Sequence, residues 1–332
     1  MAPLALARPQ ASLAPSAGLP HNALMHQLEV PQLVRNRARD LGEPGVAWLH
    51  GLDETVARLA AEWDLRLGSV LEGGSGALVV QATMPGEIPA ILKVAIAEPD
   101  LSTIEAEILR AAEGHGYARL YHHNPTERAM VVERLGAPIW SQHLPEDQQL
   151  RLYCAAILQA WEVRIAPRNL TDGAAKAAWL ADFIPRMWES LGHPCSERSV
   201  ALALEFAARR HDAFDPARAI ICHGDAHPGN LLAPLNEGGA YKFIDPEAGF
   251  IDREYDLACW LRGWRPAHPG EPHVEHLARE IAGQLAALTG TDPQVIWEWA
   301  FIERVSSGLL LMKLGHAEGA LYLSIADQMA VP

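Results

Sequence analysis

Cysteine is scarce in this chain, with 4 in 332 residues, and Cys154, Cys195, Cys222 and Cys259 form no C-x-x-C pair. That argues against a disulfide framework and against a zinc site of the usual spacing, and it suits a reducing cytoplasm. Basic residues are also short, with 27 Lys and Arg against 41 Asp and Glu and a net charge of −14. Nucleic acid and anionic membrane surfaces are bound through Lys and Arg, so the deficit argues against both as partners. The surplus of acid fits either a cationic partner or plain solubility. Long hydrophobic runs are missing too: Leu309-Leu310-Leu311-Met312 falls far short of the roughly 18 residues that a spanning helix needs. No internal repeat or heptad run occurs. The first 22 residues are rich in Ala, Pro and Leu but lack a basic start, and Arg8-Pro9 interrupts them. Residues 1–24 therefore read as a disordered extension rather than a signal peptide.

With 49% hydrophobic residues and a length suited to two domains, the chain has enough apolar side chains for two cores. Residues 46–62 carry Trp48, Leu52, Val56, Leu59 and Trp63 at helical spacing. Short β-prone runs follow at 65–70, 77–82 and 90–94, separated by Gly73-Gly74-Ser75-Gly76 and Pro85-Gly86-Glu87, which are strong turn signals. A helix over 100–113 ends at Gly114, and two more strands are predicted at 118–123 and 129–135. The pattern predicts a small antiparallel sheet of five strands over 25–135. Beyond Gly136 it turns mainly helical, with helices at 146–163, 173–191, 196–212, 273–288 and 292–314. The class is α+β in two lobes, divided as 25–135 and 136–332.

The densest chemistry lies at Ile221-Cys222-His223-Gly224-Asp225-Ala226-His227-Pro228-Gly229-Asn230, followed by Phe243-Ile244-Asp245-Pro246-Glu247. A loop between two apolar runs can aim Asp225 and Asn230 into one cleft. Phosphoryl transfer needs a carboxylate to orient the attacking hydroxyl and take its proton, and Asp225 is the candidate. Asn230 offers a neutral oxygen and Asp245 a charged one for Mg²⁺. His223 is expected to orient the loop by hydrogen bonding. The ordinary alternative is a hydrogen-bonded turn of Asp225, His227 and Asn230 around Pro228-Gly229, since these residue types crowd turns. The two halves in this order favour the phosphotransfer reading.

His-Gly-Asp-x-x-x-x-Asn followed by Ile-Asp resembles the aminoglycoside phosphotransferase family, relatives of the protein kinases, and in particular its streptomycin 6-kinase and hydroxyurea phosphotransferase branch. Further resemblance is carried by Ile91-Leu92-Lys93, Glu105-Ala106-Glu107-Ile108-Leu109, Gly116-Tyr117-Ala118-Arg119-Leu120, Val132-Glu133-Arg134-Leu135-Gly136 and Glu303-Arg304-Val305-Ser306-Ser307-Gly308-Leu309. It runs from about Trp63 to near the C-terminus. It implies a bilobal protein-kinase-like fold, with ATP and Mg²⁺ used to phosphorylate a small polar or cationic acceptor. Within it, Lys93 would meet the α- and β-phosphates, where otherwise it is a snorkelling edge lysine. Of the two acids that could hold Lys93, Glu105 shares a helix face with Ile108, Leu109 and Ala112, while Glu107 sits beside Arg110 and Gly114. Glu105 is the better partner. Gly73, Gly74, Ser75 and Gly76 would cover the phosphates with backbone amides. The backbone from Glu133 through Leu135 would bind the adenine. Asp256 would brace the catalytic loop by accepting hydrogen bonds.

The acceptor implied by the resemblance is a streptomycin-type aminoglycoside, with hydroxyurea next. A choline-like alcohol or sugar kinase, and a nucleotide-binding scaffold without transfer activity, are the competing readings. Glu162, Asp182, Glu298 and Glu303 are candidate carboxylates for a cationic acceptor, and Glu247 supports the metal, faces the acceptor or sits on the surface. Trp161, Trp179, Trp188, Trp297 and Trp299 are expected in the core. One of Trp140, Trp260 and Trp264 could stack on a substrate ring. His268, His273 and His276 read as a solvated loop.

Overall fold

The computed structural model describes residues 28–74, 76–96, 101–166, 170–268 and 271–331. The expected extension at 1–24, Ser75 of the glycine turn, Asp100 at the start of the first-lobe helix and Pro269 of the histidine loop lie outside the described residues. The chain divides into two compact units: one runs up to Gly136 and includes Ala233–Lys242, and the other holds Ala137–Leu232 and the chain from Phe243 onward.

The first unit opens with α1 (Gln32–Asp40) and α2 (Glu43–Glu62), then β1 (Arg66–Val70), β2 (Ala77–Met84), β3 (Ile88–Ala95), α3 (Leu101–Ala112), β4 (Leu120–Asn124) and β5 (Ala129–Glu133). The five strands make one antiparallel sheet in the order β1-β2-β3-β5-β4. Side chains alternate across a strand, and the register puts Leu78 opposite Val94 and Val80 opposite Leu92. These residues, with Ala129 and Val131, form one core cluster with Leu52, Val56 and Leu59 of α2. Lys93, between Leu92 and Val94, is on the opposite face, which explains a lysine inside an apolar strand. Helix α1 presses on α2 at Gly45, where a Cβ would lie 1.8 Å from the Ala38 carbonyl oxygen. Segment 233–242, which the sequence pattern groups with the helical region, is tied here by Gly136 N–H donating to Ala233 O (2.7 Å) and by a Lys242–Glu133 ion pair (2.7 Å).

The second unit holds α4 (Glu146–Ala160), α5 (Gly173–Ser190), α6 (Glu197–Ala213), the short strands β6 (Ile220–Cys222), β7 (Leu231–Leu232), β8 (Lys242–Phe243, begun in the first unit) and β9 (Gly249–Ile251), and α7 (Arg253–Gly263), α8 (Val274–Thr289), α9 (Pro293–Lys313) and α10 (Glu318–Met329). Helix α9 is its axis: Trp297, Trp299, Phe301 and Ile302 are buried, and α5, α6, α7, α8 and α10 all pack against it. The buried acids and bases on α9 are accordingly paired or bonded. Glu298, fully buried, faces Arg209 and Arg210, and Arg304 donates to the carbonyls of Leu261 and Trp264 near the C-terminus of α7. Helices α1, α7 and α10 go beyond those read from the sequence. All four cysteines are free and buried, and burial pushes the thiols of Cys154 and Cys195 to about 12, far from a reactive thiolate. No helix among the described residues is long and apolar enough to cross a membrane.

Candidate functional site

Strands β6 and β9 pair antiparallel, with Cys222 opposite Gly249, and this anchors the loop 223–230 at one end. Gly224 permits the turn: its φ is +86°, and a Cβ there would lie 3.0 Å from Ala248 N. The loop is then stitched on every side. His223 N–H and Gly224 N–H donate to the two carboxylate oxygens of Asp256, each at 2.9 Å, and Trp161 Nε1 donates to the same group at 3.0 Å. Asp256 is fully buried, and burial raises its pKa even against these donors. It braces the loop as the family pattern implies.

His223 works as a staple. The Asp225 N–H donates to its Nδ1 (3.2 Å), which leaves the proton on Nε2 to be donated to Ile244 O (3.0 Å). The His223 carbonyl accepts from Glu247 N and Ala248 N, both at 2.9 Å. Ile244 N–H donates to Asn230 O at 3.0 Å, so the Asp245 segment is fastened to the Asn230 end of the loop. Those bonds hold Asp245 in the left-handed region, at φ +57°, a conformation that costs a non-glycine residue about 1–2 kcal/mol.

Asp225 is buried, and Arg262 Nη2 sits 2.6 Å from its Oδ1. Burial alone would raise the Asp225 pKa; the Arg262 guanidinium outweighs it, and the carboxyl is held below the usual range. The group is therefore an ionised carboxylate at neutral pH. Beside it, Glu247 is pushed well above the usual carboxylate range by burial and by the charge of Asp225. Glu303 goes the other way: Lys176 (3.1 Å), Arg262 and the Tyr255 hydroxyl (2.7 Å) more than offset its burial and lower its pKa. Sequence reasoning passed over Arg262, and its only local signal is a cation in the otherwise apolar run Leu257-Ala258-Cys259-Trp260-Leu261.

Asn230 Nδ2 donates to the Asp225 carbonyl at 3.0 Å, so its Oδ1 is the atom left for a cation. Among the described residues no cluster of three His, Cys, Asp or Glu could hold a metal. Mg²⁺ needs no such cage, because one or two protein oxygens with phosphates and water complete its octahedron. The donor set Asn230 and Asp245 fits that ion.

In the sheet unit Lys93 Nζ meets both carboxylate oxygens of Glu105 at 2.7 Å, and Glu105 is buried on α3 beside Ile108, Leu109 and Ala112. Gly73, Gly74 and Gly76 lie between β1 and β2; φ is +125° at Gly73, and a Cβ on Gly74 or Gly76 would meet open space. Glu133 Oε2 accepts from Arg119 N–H and from Lys242, and the Glu133 N–H donates to Arg119 O at 2.8 Å. The Leu135 N–H donates to no group among the described residues.

Several of the remaining expectations take a definite form. Of the four candidate acids, Glu298 is sealed against Arg209 and Arg210, Asp182 is exposed and paired with Arg186, and Glu162 is exposed. Glu303 alone adjoins the motif, through Arg262 and Lys176. Trp179, expected in the core, is 43% exposed and stacked on Phe183, whereas Trp161, Trp297 and Trp299 are buried. Trp188 is half-buried. Trp140 is exposed and Trp260 buried. His276 is exposed and pairs with Glu280.

The chain matches the model of the phosphotransferase enzyme family over residues 68–288. It is 29% identical over 291 residues to a streptomycin 6-kinase of Streptomyces glaucescens, covering 87% of this chain and 93% of that protein. A streptomycin 6-kinase of Streptomyces griseus is 30% identical over 240 residues, or 71% of this chain and 76% of that protein. Among solved structures, an aminoglycoside phosphotransferase of Streptomyces rimosus, in complex with ADP and streptomycin, is similar in fold. It has a TM-score of 0.50 and 15% identity, with 77% of this chain and 98% of that chain covered.

Proposed function

The chain belongs to the phosphotransferase enzyme family and is a small-molecule kinase, and we propose that it moves the γ-phosphoryl group of ATP to a hydroxyl of a streptomycin-type aminoglycoside. The observation that carries this reading is the buried Asp225 carboxylate, held ionised by Arg262 at 2.6 Å in a loop that also presents Asn230 and is fastened to Asp245. The names of the two relatives support the acceptor, and the ADP and streptomycin bound to the Streptomyces rimosus protein support the nucleotide. A net charge of −14 also favours a guanidinium-bearing acceptor.

In this reading Asp225 orients the acceptor hydroxyl and takes its proton as transfer completes. The acceptor oxygen bonds to the γ-phosphorus as the bond from that phosphorus to the β–γ bridging oxygen breaks, and the electron pair leaves on ADP. Lys93, fixed by Glu105, holds the α- and β-phosphates, and the Leu135 N–H is available to the adenine. Asn230 and Asp245 would hold Mg²⁺, which would supply positive charge against the phosphates. His223 keeps the loop and the Asp245 segment in one piece.

The test is ATP consumption by the purified protein with Mg²⁺ across streptomycin, other aminoglycosides, hydroxyurea, choline and simple sugars. Turnover that depends on streptomycin, a product heavier by one phosphoryl group, and loss of both in Asp225→Ala are expected. Turnover with choline or a sugar and none with streptomycin overturns the acceptor assignment and leaves the kinase chemistry standing.

A further inference from the structure

Within 223–230 one side chain has no part in the account so far. His227 Nδ1 accepts the Gly229 N–H at 2.9 Å, which leaves no room for a proton there, so the ring proton is on Nε2. The ring cannot slide away, because Gly229 lies under it: a Cβ at that position would be 2.5 Å from Cε1 and 2.8 Å from Nδ1. The backbone is pinned as well, with His227 N–H donating to Asp225 O (2.8 Å) and Asn230 N–H donating to His227 O (2.9 Å). Yet Nε2 is buried and hydrogen-bonded to nothing among the described residues. It lies 3.5 Å from Asp225 Oδ2, too long for a hydrogen bond. Buried donors rarely go unmet, so an orphan beside the base oxygen asks for a partner that arrives with the substrate.

Asp225 narrows what that partner is. Its Oδ1 is taken by Arg262, so Oδ2 is the oxygen free to accept the acceptor's proton. A hydroxyl has one proton and two lone pairs. If the proton goes to Oδ2 and one lone pair accepts from Nε2–H, the second lone pair has a single direction left, toward the phosphorus. Burial lowers the His227 pKa to about 4, against the pull of Asp225, which agrees with a neutral donor.

We propose that His227 is a catalytic residue whose Nε2–H binds the acceptor hydroxyl oxygen and, with Asp225 Oδ2, sets its line of attack. The inference rests on the kinase reading above. It also explains the glycine at 229 as the residue that lets the ring lie flat against the loop.

The experiment compares wild type, His227→Leu and His227→Gln in full-length protein, measuring kcat and KM for ATP and streptomycin together with thermal unfolding. The glutamine amide can present a donor close to where Nε2 stands; leucine fills the space without one. His227→Leu is expected to lose about 10- to 100-fold in kcat, the range of one transition-state hydrogen bond. Its KM for ATP should stay within about threefold and its melting temperature at or above that of wild type, since an orphan donor is removed. His227→Gln should retain most of kcat. A His227→Leu protein within threefold of wild type in kcat overturns the assignment, and so does an equal loss in both variants. A wild type silent on every acceptor overturns the proposed function first and this inference with it, whereas an active wild type with unaffected variants overturns His227 alone.

Discussion

Replacing Arg262 by methionine removes the cation that sits 2.6 Å from Asp225 Oδ1 while leaving a side chain of similar reach. Both partners are over nine-tenths buried, with side-chain exposures of 8% and 6%. At an effective dielectric of about 20, that separation corresponds to roughly 6 kcal/mol of attraction. Part of it offsets desolvation, and breaking one side of a buried pair costs about 3–5 kcal/mol, which is the expected loss of stability near pH 8. The pH dependence follows from the direction of the Asp225 shift. In the wild type its folded pKa is lowered, so the stabilisation is present above the unfolded carboxylate value and is lost as pH falls through the folded value. In Arg262→Met burial is left with less opposition, the pKa rises, and the penalty applies at neutral pH and fades as acid protonates the group. Glu303, also held down by Arg262, adds with the same sign. The gap between wild type and variant should therefore be wide at pH 8 and narrow toward pH 5, read from urea midpoints at the two values. The acidic limb of kcat/KM should move to higher pH. Asp225→Asn in the Arg262→Met background should cost much less than the sum of the two single changes. A gap that is equal at both pH values, with an unmoved acidic limb, refutes the reasoning.

Lys93→Met should raise the KM for ATP and cut kcat/KM by about 10- to 100-fold, because a charged hydrogen bond to phosphate is lost; an unchanged KM for ATP rules out the phosphate role. Asp245→Asn should raise the Mg²⁺ concentration needed for half-maximal rate, and chelation by EDTA should abolish turnover; a variant with the wild-type Mg²⁺ titration removes Asp245 from the metal. Gly45→Ala pits a helix-propensity gain of up to about 1 kcal/mol against a Cβ placed 1.8 Å from the Ala38 carbonyl. Overpacking of that kind costs about 1–3 kcal/mol or more, so the melting temperature should fall, and a rise would show that α1 yields without penalty.

The sheet was legible because its strands alternate and its turns are punctuated by glycine and proline. Lys93 stood out against its apolar neighbours, and one helix face distinguished Glu105 from Glu107, the pairing seen at 2.7 Å. Helix α7 was hidden for the opposite reason. Nearly every side chain from Glu254 to Arg262 is buried, so no 3.6-residue stripe exists to be read, and its N-cap Asp252 makes no side-chain capping bond. Helix α1 likewise starts after Pro31 with no side-chain cap. The motif itself is local, and its residue types announce its chemistry. What grips it comes from 31 to 37 positions downstream of Asp225, at Asp256 and Arg262, and no periodicity connects those distances.

That concealed helix determines how firmly Asp225 is held. Asp256 near the start of α7 takes the two backbone N–H groups that precede Asp225, and Arg262, six residues or about 9 Å of helix further on, takes its side chain. One rigid element thus fixes the backbone that carries the carboxylate and the oxygen that the carboxylate keeps free. Helix α9 secures α7 in turn, with Arg304 bonded to the carbonyls of Leu261 and Trp264 and Glu303 bonded to Tyr255. A loop without such a clamp would have to freeze Asp225 during each encounter, at the entropic cost of ordering a side chain and its backbone. Here that cost is met in folding, and changes on α7 that never touch a substrate are expected to act on kcat.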